Sequence, residues 1–221
     1  MELLDWFFII LLSLAILSLV FFVGFMIFSI HIGNNIRSMK KIRLKNKRKR
    51  KKQLRQRREL EKKRKKQIRL VTTFLVCTLV FGSGALYSRY YQATNLGKKD
   101  SDAIVQGYYL MNEIQGQLEQ VETTENEVKL QKNLYDLSAR LASYGAREAN
   151  GRLSDEGKIL LNRLYTNMKE LGLNMANQSI ETLRNKGVLE GYLADIKKAK
   201  ENQAKVFTYF NVNENALKQK Q

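Results

Sequence analysis

The chain of 221 residues has no proline, one cysteine and one histidine. A single cysteine excludes a secreted disulfide scaffold, which needs paired cysteines. One histidine and one cysteine cannot supply the four ligands of a structural zinc site. Without proline there is no collagen-like or Pro-rich linker segment. Beyond Tyr91 neither histidine nor cysteine occurs, which removes the usual nucleophile–base pairs. Phosphate-cradling Gly-rich loops are also missing. Acid pairs do occur, Glu122 with Glu125 and Asp155 with Glu156. On amphipathic helices these read as solvated or first-turn charges. The expectation is therefore a non-catalytic protein with no catalytic residue, no metal and no cofactor.

What is present is unevenly placed. There are 39 Lys and Arg against 21 Asp and Glu, a formal charge of +18. Residues 37–69 hold 20 of the basic residues and two acids, Glu59 and Glu61, so that segment alone is +18 and the rest sums to zero. Any inference from basicity is confined to this segment.

Apolar residues are concentrated likewise. From Trp6 to Ile30 there are 25 residues without a charge. At about 1.5 Å per residue this crosses a hydrocarbon core of about 30 Å. A second run, Leu70 to Ser88, has 19 uncharged residues and lies near the lower limit for a span. The acidic start, Glu2 and Asp5, and the length of the first run argue against a cleaved signal peptide. The Lys/Arg bias places the loop between the spans in the cytoplasm. Trp6, Phe7 and Phe8 mark one outer interface, and Tyr87, Tyr90 and Tyr91 the other. The expected layout is an N-out transmembrane helix in 1–30, a cytoplasmic polybasic hairpin in 31–69, a second span in 70–88, and an extracytoplasmic domain in 89–221. The protein is thus expected in the cell membrane as a multi-pass protein.

Within the second span, Thr78 and Gly82 are four residues apart, as are Gly84 and Ser88. Such spacing lets helices approach closely, and these four are the candidate packing residues. Cys77 reads as a small apolar filler and His31 as an interfacial polar group. Gly33-Asn34-Asn35 is expected to stop the first helix.

The hairpin carries the candidate anion contacts. They are Lys45, Lys47, Arg48, Lys49, Arg50, Lys51 and Lys52, then Lys62, Lys63, Arg64, Lys65 and Lys66. Strong helix formers predominate here, although self-repulsion opposes helix until the charge is neutralised. Anionic lipid is the favoured partner, since each basic residue near such a surface contributes about 1 kcal/mol. Nucleic acid and an acidic protein are the alternatives. No aromatic residue lies between Arg37 and Arg69 to stack on a base, which disfavours base-specific recognition.

Residues 89–221 show four stretches with apolar residues at spacings of three and four, the signature of one helix face. The first has Ile104, Tyr108, Met111 and Leu118, with Gln115 interrupting. The second has Leu130, Leu134, Leu137, Leu141 and Tyr144, and the third Leu161, Leu164, Met168, Leu171 and Met175. The fourth runs from Leu189 through Tyr192, Ile196, Ala199 and Val206 to Phe210, with Gln203 interrupting. Ser101 is expected to cap the first, a capping box at Thr124–Glu127 the second and Ser154 the third. The third helix either runs unbroken to residue 186 or breaks near Gly172. The apolar phase slips by one between Met175 and Ile180, which favours a break or bend, and a stop is expected at Asn185–Gly187. Short connections imply an antiparallel bundle of about four helices. Tyr108-Tyr109 and Phe207–Phe210 read as bundle core, with a contact patch for a partner as the alternative.

The fold class expected is an all-α membrane protein, two transmembrane helices plus an extracytoplasmic antiparallel helical bundle. The expected role is a membrane adaptor or scaffold of a Gram-positive bacterial envelope, the Lys- and Asn-rich, Pro-free composition pointing to a bacterial source. Its bundle would bind another envelope or secretion protein, and its hairpin anionic lipid or a cytoplasmic partner. A membrane tether for nucleic acid or ribosomes is the alternative. Homo-oligomerisation is not legible.

Overall fold

The computed structural model describes residues 3–42 and 46–219. It is all-helical, 85% helix, with no strand among the described residues. The chain forms two compact units, Met1–Tyr90 and Tyr91–Gln221.

The first unit is a helical hairpin. Helix α1 spans Leu3–Lys41 and α2 spans Lys47–Thr94. Both are long and apolar enough to cross a membrane. The less exposed residues of α1 recur at alternating steps of three and four: Phe8, Leu11, Ala15, Ser18, Phe22, Phe25, Ser29, Ile32, Ile36 and Met39. Those of α2 do the same through Gln53, Arg57, Leu60, Gln67, Val71, Phe74, Thr78, Phe81, Ala85 and Ser88, with Arg64 completing the phase. This is the seam of a coiled coil. It keeps one phase from the uncharged runs into the basic segment.

Paired contacts fix the register. Ser18 Oγ lies 2.9 Å from Thr78 Oγ1. Phe74 packs against Phe21 and Phe25, with ring centroids 5.3 and 5.5 Å away. Gln53 Nε2 donates to Met39 O at 2.9 Å. The arms are therefore antiparallel, and residue numbers facing each other sum to about 96 in the middle of the hairpin. By that register Met26–Ile30 lie level with about residues 66–70.

The Gly33-Asn34-Asn35 stop does not occur, because α1 continues to Lys41. A glycine inside a helix costs about 1 kcal/mol, and two asparagines somewhat less each. Ile32 and Ile36 are buried on either side, and burying each such side chain contributes about 1.5–3 kcal/mol. The seam outweighs the local preference. The reversal of the chain falls instead between Lys41 and Lys47.

The second unit holds α3 (Lys98–Glu119), α4 (Glu127–Gly145), α5 (Asp155–Ala176), the short α6 (Ile180–Leu183), α7 (Lys186–Tyr209) and α8 (Glu214–Lys218). Helix α3 packs on α4 and α7, and α5 packs on the same two. The four long helices thus close around one core. That core contains Ile104, Met111, Leu134, Leu164, Met168 and Val206, each no more than 1% exposed.

The local chemistry explains the boundaries. Asn126 caps α4 by accepting from Lys129 N, Ser154 caps α5 through Gly157 N, and Asn185 caps α7 through Gly187 N. Asn185 therefore opens α7 instead of stopping its predecessor. Ser101 caps nothing, since α3 begins at Lys98 with Gly97 before it. In the second helix the cap is Asn126, not Thr124.

Two glycines set the distance between α4 and α5. A Cβ at Gly145 would fall 2.6 Å from Tyr165 O, and one at Gly172 would fall 2.5 Å from Ser138 O. Both obstacles are backbone, so the helices touch main chain to main chain. Gly172 is thus a contact point inside α5, and the break comes later, after Ala176.

Candidate functional site

The basic segment is a helical arm. Helix α2 runs without interruption from Lys47 into the uncharged run. Asn46 Oδ1 accepts from Arg48 N at 3.0 Å and begins the helix. No acid stands in the first turn of α2, so Lys47–Arg50 add to the positive end of the helix dipole. The candidate contacts Lys47, Arg48, Lys49, Arg50, Lys51 and Lys52 are all exposed. At about 100° per residue, six consecutive positions surround the helix. Lys62, Lys63, Arg64, Lys65 and Lys66 are exposed as well. Lys45 lies outside the described residues.

The arm is held by its partner helix. Ile32 and Ile36 of α1 are buried in the seam at the level of the basic segment. Arg64 lays its guanidinium over α1, where a Cβ at Gly33 would sit 3.4 Å from its Cζ. Arg57 Nε donates to Glu61 at 2.9 Å. This hydrogen bond holds the exposed Glu61 carboxyl below its ordinary pKa, helped by the charges of Lys40 and Lys65. Where the two arms end, Met39, Lys40, Ile42, Arg50, Gln53, Leu54 and Arg57 line an open cavity of about 490 Å³. Its lining mixes three cations with three aliphatic side chains. Sequence reasoning missed this cavity, because its lining is drawn from the ends of two helices.

The four candidate packing residues divide. Thr78 meets Ser18, Ser88 Oγ donates to Leu4 O at 3.4 Å, and Gly84 faces Leu11, whose Cδ1 would lie 3.3 Å from an added Cβ. Gly82 has nothing within 4 Å of such a Cβ.

In the second unit, Asp100 is buried and accepts from Tyr165 Oη at 2.8 Å and from Asn150 N at 3.2 Å. Burial, together with the neighbouring Asp100 carboxylate, pushes the Tyr165 phenol well above its ordinary pKa. This network ties α3, α5 and the α4–α5 connection together. Gln203, which interrupts the apolar stripe of α7, is 2% exposed and donates to Ile104 O at 3.0 Å. Tyr108 and Phe207 are buried, with ring centroids 6.0 Å apart. Tyr209 and Ser154 hydroxyls are 2.7 Å apart. A polar groove of about 480 Å³ runs between α3 and α4, lined by Glu113, Gln117, Gln120, Asn133 and Asp136 with Gly116 and Leu137.

Among the described residues no three His, Cys, Asp or Glu side chains are grouped to hold a metal ion. The arrangement that remains is a cationic, cavity-bearing helical tip on a seam shared with two membrane-length helices. No family model matches the chain, and neither a curated protein nor a solved structure does.

Proposed function

We propose that this chain is a non-catalytic, two-span membrane adaptor of a bacterial, Gram-positive envelope. In this reading α1 and the 70–88 part of α2 cross the membrane, with the N-terminus outside and the basic arm in the cytoplasm. The second unit lies outside and binds another envelope or secretion protein. The arm contacts anionic headgroups with Lys62–Lys66, and a cytoplasmic partner beyond them. What carries the reading is the single seam that joins both spans to the basic arm without a change of phase. An arm paired along its length is a means of holding charge away from the membrane, which a purely topogenic loop does not need. The polar groove between α3 and α4 offers the outer unit a face for its partner.

The test is cross-linking of the full-length protein in native membranes, followed by purification with and without nuclease. Envelope or secretion proteins recovered in both cases support the adaptor. Recovery of ribosomal or nucleic-acid-bound material that nuclease removes supports a nucleic-acid tether instead.

A further inference from the structure

The basic residues of α2 fall at two very different distances from the uncharged run. Lys62–Lys66 lie about 6–12 Å of helix before Leu70, at 1.5 Å per residue. Lys47–Lys52 lie about 27–35 Å before it on the same uninterrupted helix. Charges at a membrane surface are felt over a Debye length of about 8 Å. A tilt of about 20°, common for spanning helices, shortens the reach of the arm by only a few per cent. The distal group therefore stands beyond the field of the membrane that anchors it. This step rests on the membrane reading above.

At that distal end the surface is not uniformly charged. Ile42 is 58% and Leu54 44% exposed, and with Met39 they line the open cavity alongside Lys40, Arg50, Gln53 and Arg57. Phosphate groups gain nothing from exposed aliphatic side chains, and no aromatic side chain is present in the arm to stack on a base. An acidic peptide with an apolar side chain uses both parts. Its carboxylates pair with the three cations, and its apolar side chain packs on the three aliphatic ones.

We infer that the end of the hairpin is a docking site for an acidic peptide segment of a soluble partner, with an aliphatic side chain inserted between Met39, Ile42 and Leu54. Charge complementarity supplies the approach, and the cavity supplies selectivity over other polyanions.

The full-length protein in nanodiscs of phosphatidylcholine, and in discs with phosphatidylglycerol added, tests this. Three fluorescent probes of equal charge are compared by anisotropy at physiological salt. They are a Glu-rich peptide with a central leucine pair, the same peptide with serines there, and a single-stranded oligonucleotide. The leucine peptide is expected to bind about tenfold more tightly than the serine peptide, and equally in both discs. I42S/L54S alters exposed residues without altering charge. It is expected to remove that tenfold preference and leave the serine peptide unchanged. Equal binding of the two peptides, tighter binding of the oligonucleotide, or loss of binding in anionic discs overturns the inference. Sealed vesicles separate this from failure of the membrane reading. If protease cuts the tip and the second unit from the same side, the membrane reading falls and takes the docking site with it. If the two are on opposite sides and the leucine peptide has no advantage, only the docking site falls.

Discussion

Tyr165 donates a 2.8 Å hydrogen bond to Asp100, and both groups are buried in the second unit. Hydrogen bonds to charged acceptors contribute about 1.5–3 kcal/mol. Y165F is expected to destabilise the second unit by that amount, as read by hydrogen exchange of α3 and α5 amides in the full chain. The pH dependence has a definite sign. The folded-state pKa of Tyr165 is raised above its unfolded value near 10, so its contribution is complete below pH 10 and is lost as pH climbs beyond it. Lys200 acts oppositely, since burial lowers its pKa and stability rises as pH approaches its unfolded value near 10.5. The difference between wild type and Y165F isolates the tyrosine, and the gap between them is expected to narrow above pH 10.

Glycines in α4 and α5 are expected to differ sharply from one in α3. A Cβ at Gly145 or Gly172 would enter the backbone of the facing helix, whereas Gly116 has open space. G145A and G172A should each destabilise by about 1–3 kcal/mol or more, the cost of overpacking. G116A should stabilise by up to about 1 kcal/mol through helix propensity. Protection of the α4 and α5 amides reads all three. Equal behaviour of the three variants would contradict the backbone contact.

The seam predicts which side of α2 meets α1. In a C77A background, a short thiol cross-linker should join S18C to T78C, whose native oxygens are 2.9 Å apart. Ser13 is exposed, and S13C should not join T78C. Replacing Gly84 with leucine should lower the S18C–T78C yield, because Leu11 stands in the way. The same change at Gly82 should leave the yield alone.

The two basic groups should differ in depth. A fluorophore on R69C should be quenched by headgroup-labelled lipid, and one on K51C should not. Their separation along α2 is about 27 Å. Similar quenching at both sites would mean that the arm lies on the membrane.

The bundle was legible because its helices alternate apolar and polar residues. Ile104, Leu134, Leu164 and Ile196 all lie in the core that their spacing indicates. On α2 the small-residue spacing pointed to Thr78, Gly84 and Ser88, which do face α1, but the α1 side of the seam was not legible, for a physical reason. Between Trp6 and Ile30 the outward-facing and helix-facing positions are both mostly apolar, so periodicity carries little contrast. Ala15, Ser18 and Ser29 are small and buried, but Ser13 and Gly24 are equally small and exposed, so size does not mark the inner side either. Glycine was ambiguous in the same way. Gly33 and Gly172 suggested interruptions because glycine ends helices, and both instead admit a neighbour at close range. Gln203 looked like a fault in a stripe, yet its buried amide donates to Ile104 O across the core. A sequence shows that a polar residue lies on an apolar face, but its partner comes from another helix.

The single phase of the hairpin makes its length a quantity that changes in steps. Taking seven residues from each arm would draw the tip in by about 10.5 Å and return the same side chains to the inside. Taking five from α1 before Ile32 would turn everything beyond the cut by about 140°, placing Arg37 and Lys41 where Ile32 and Ile36 now meet their partner. The distance at which this chain carries its charge is therefore counted in whole repeats, like the teeth of a rack.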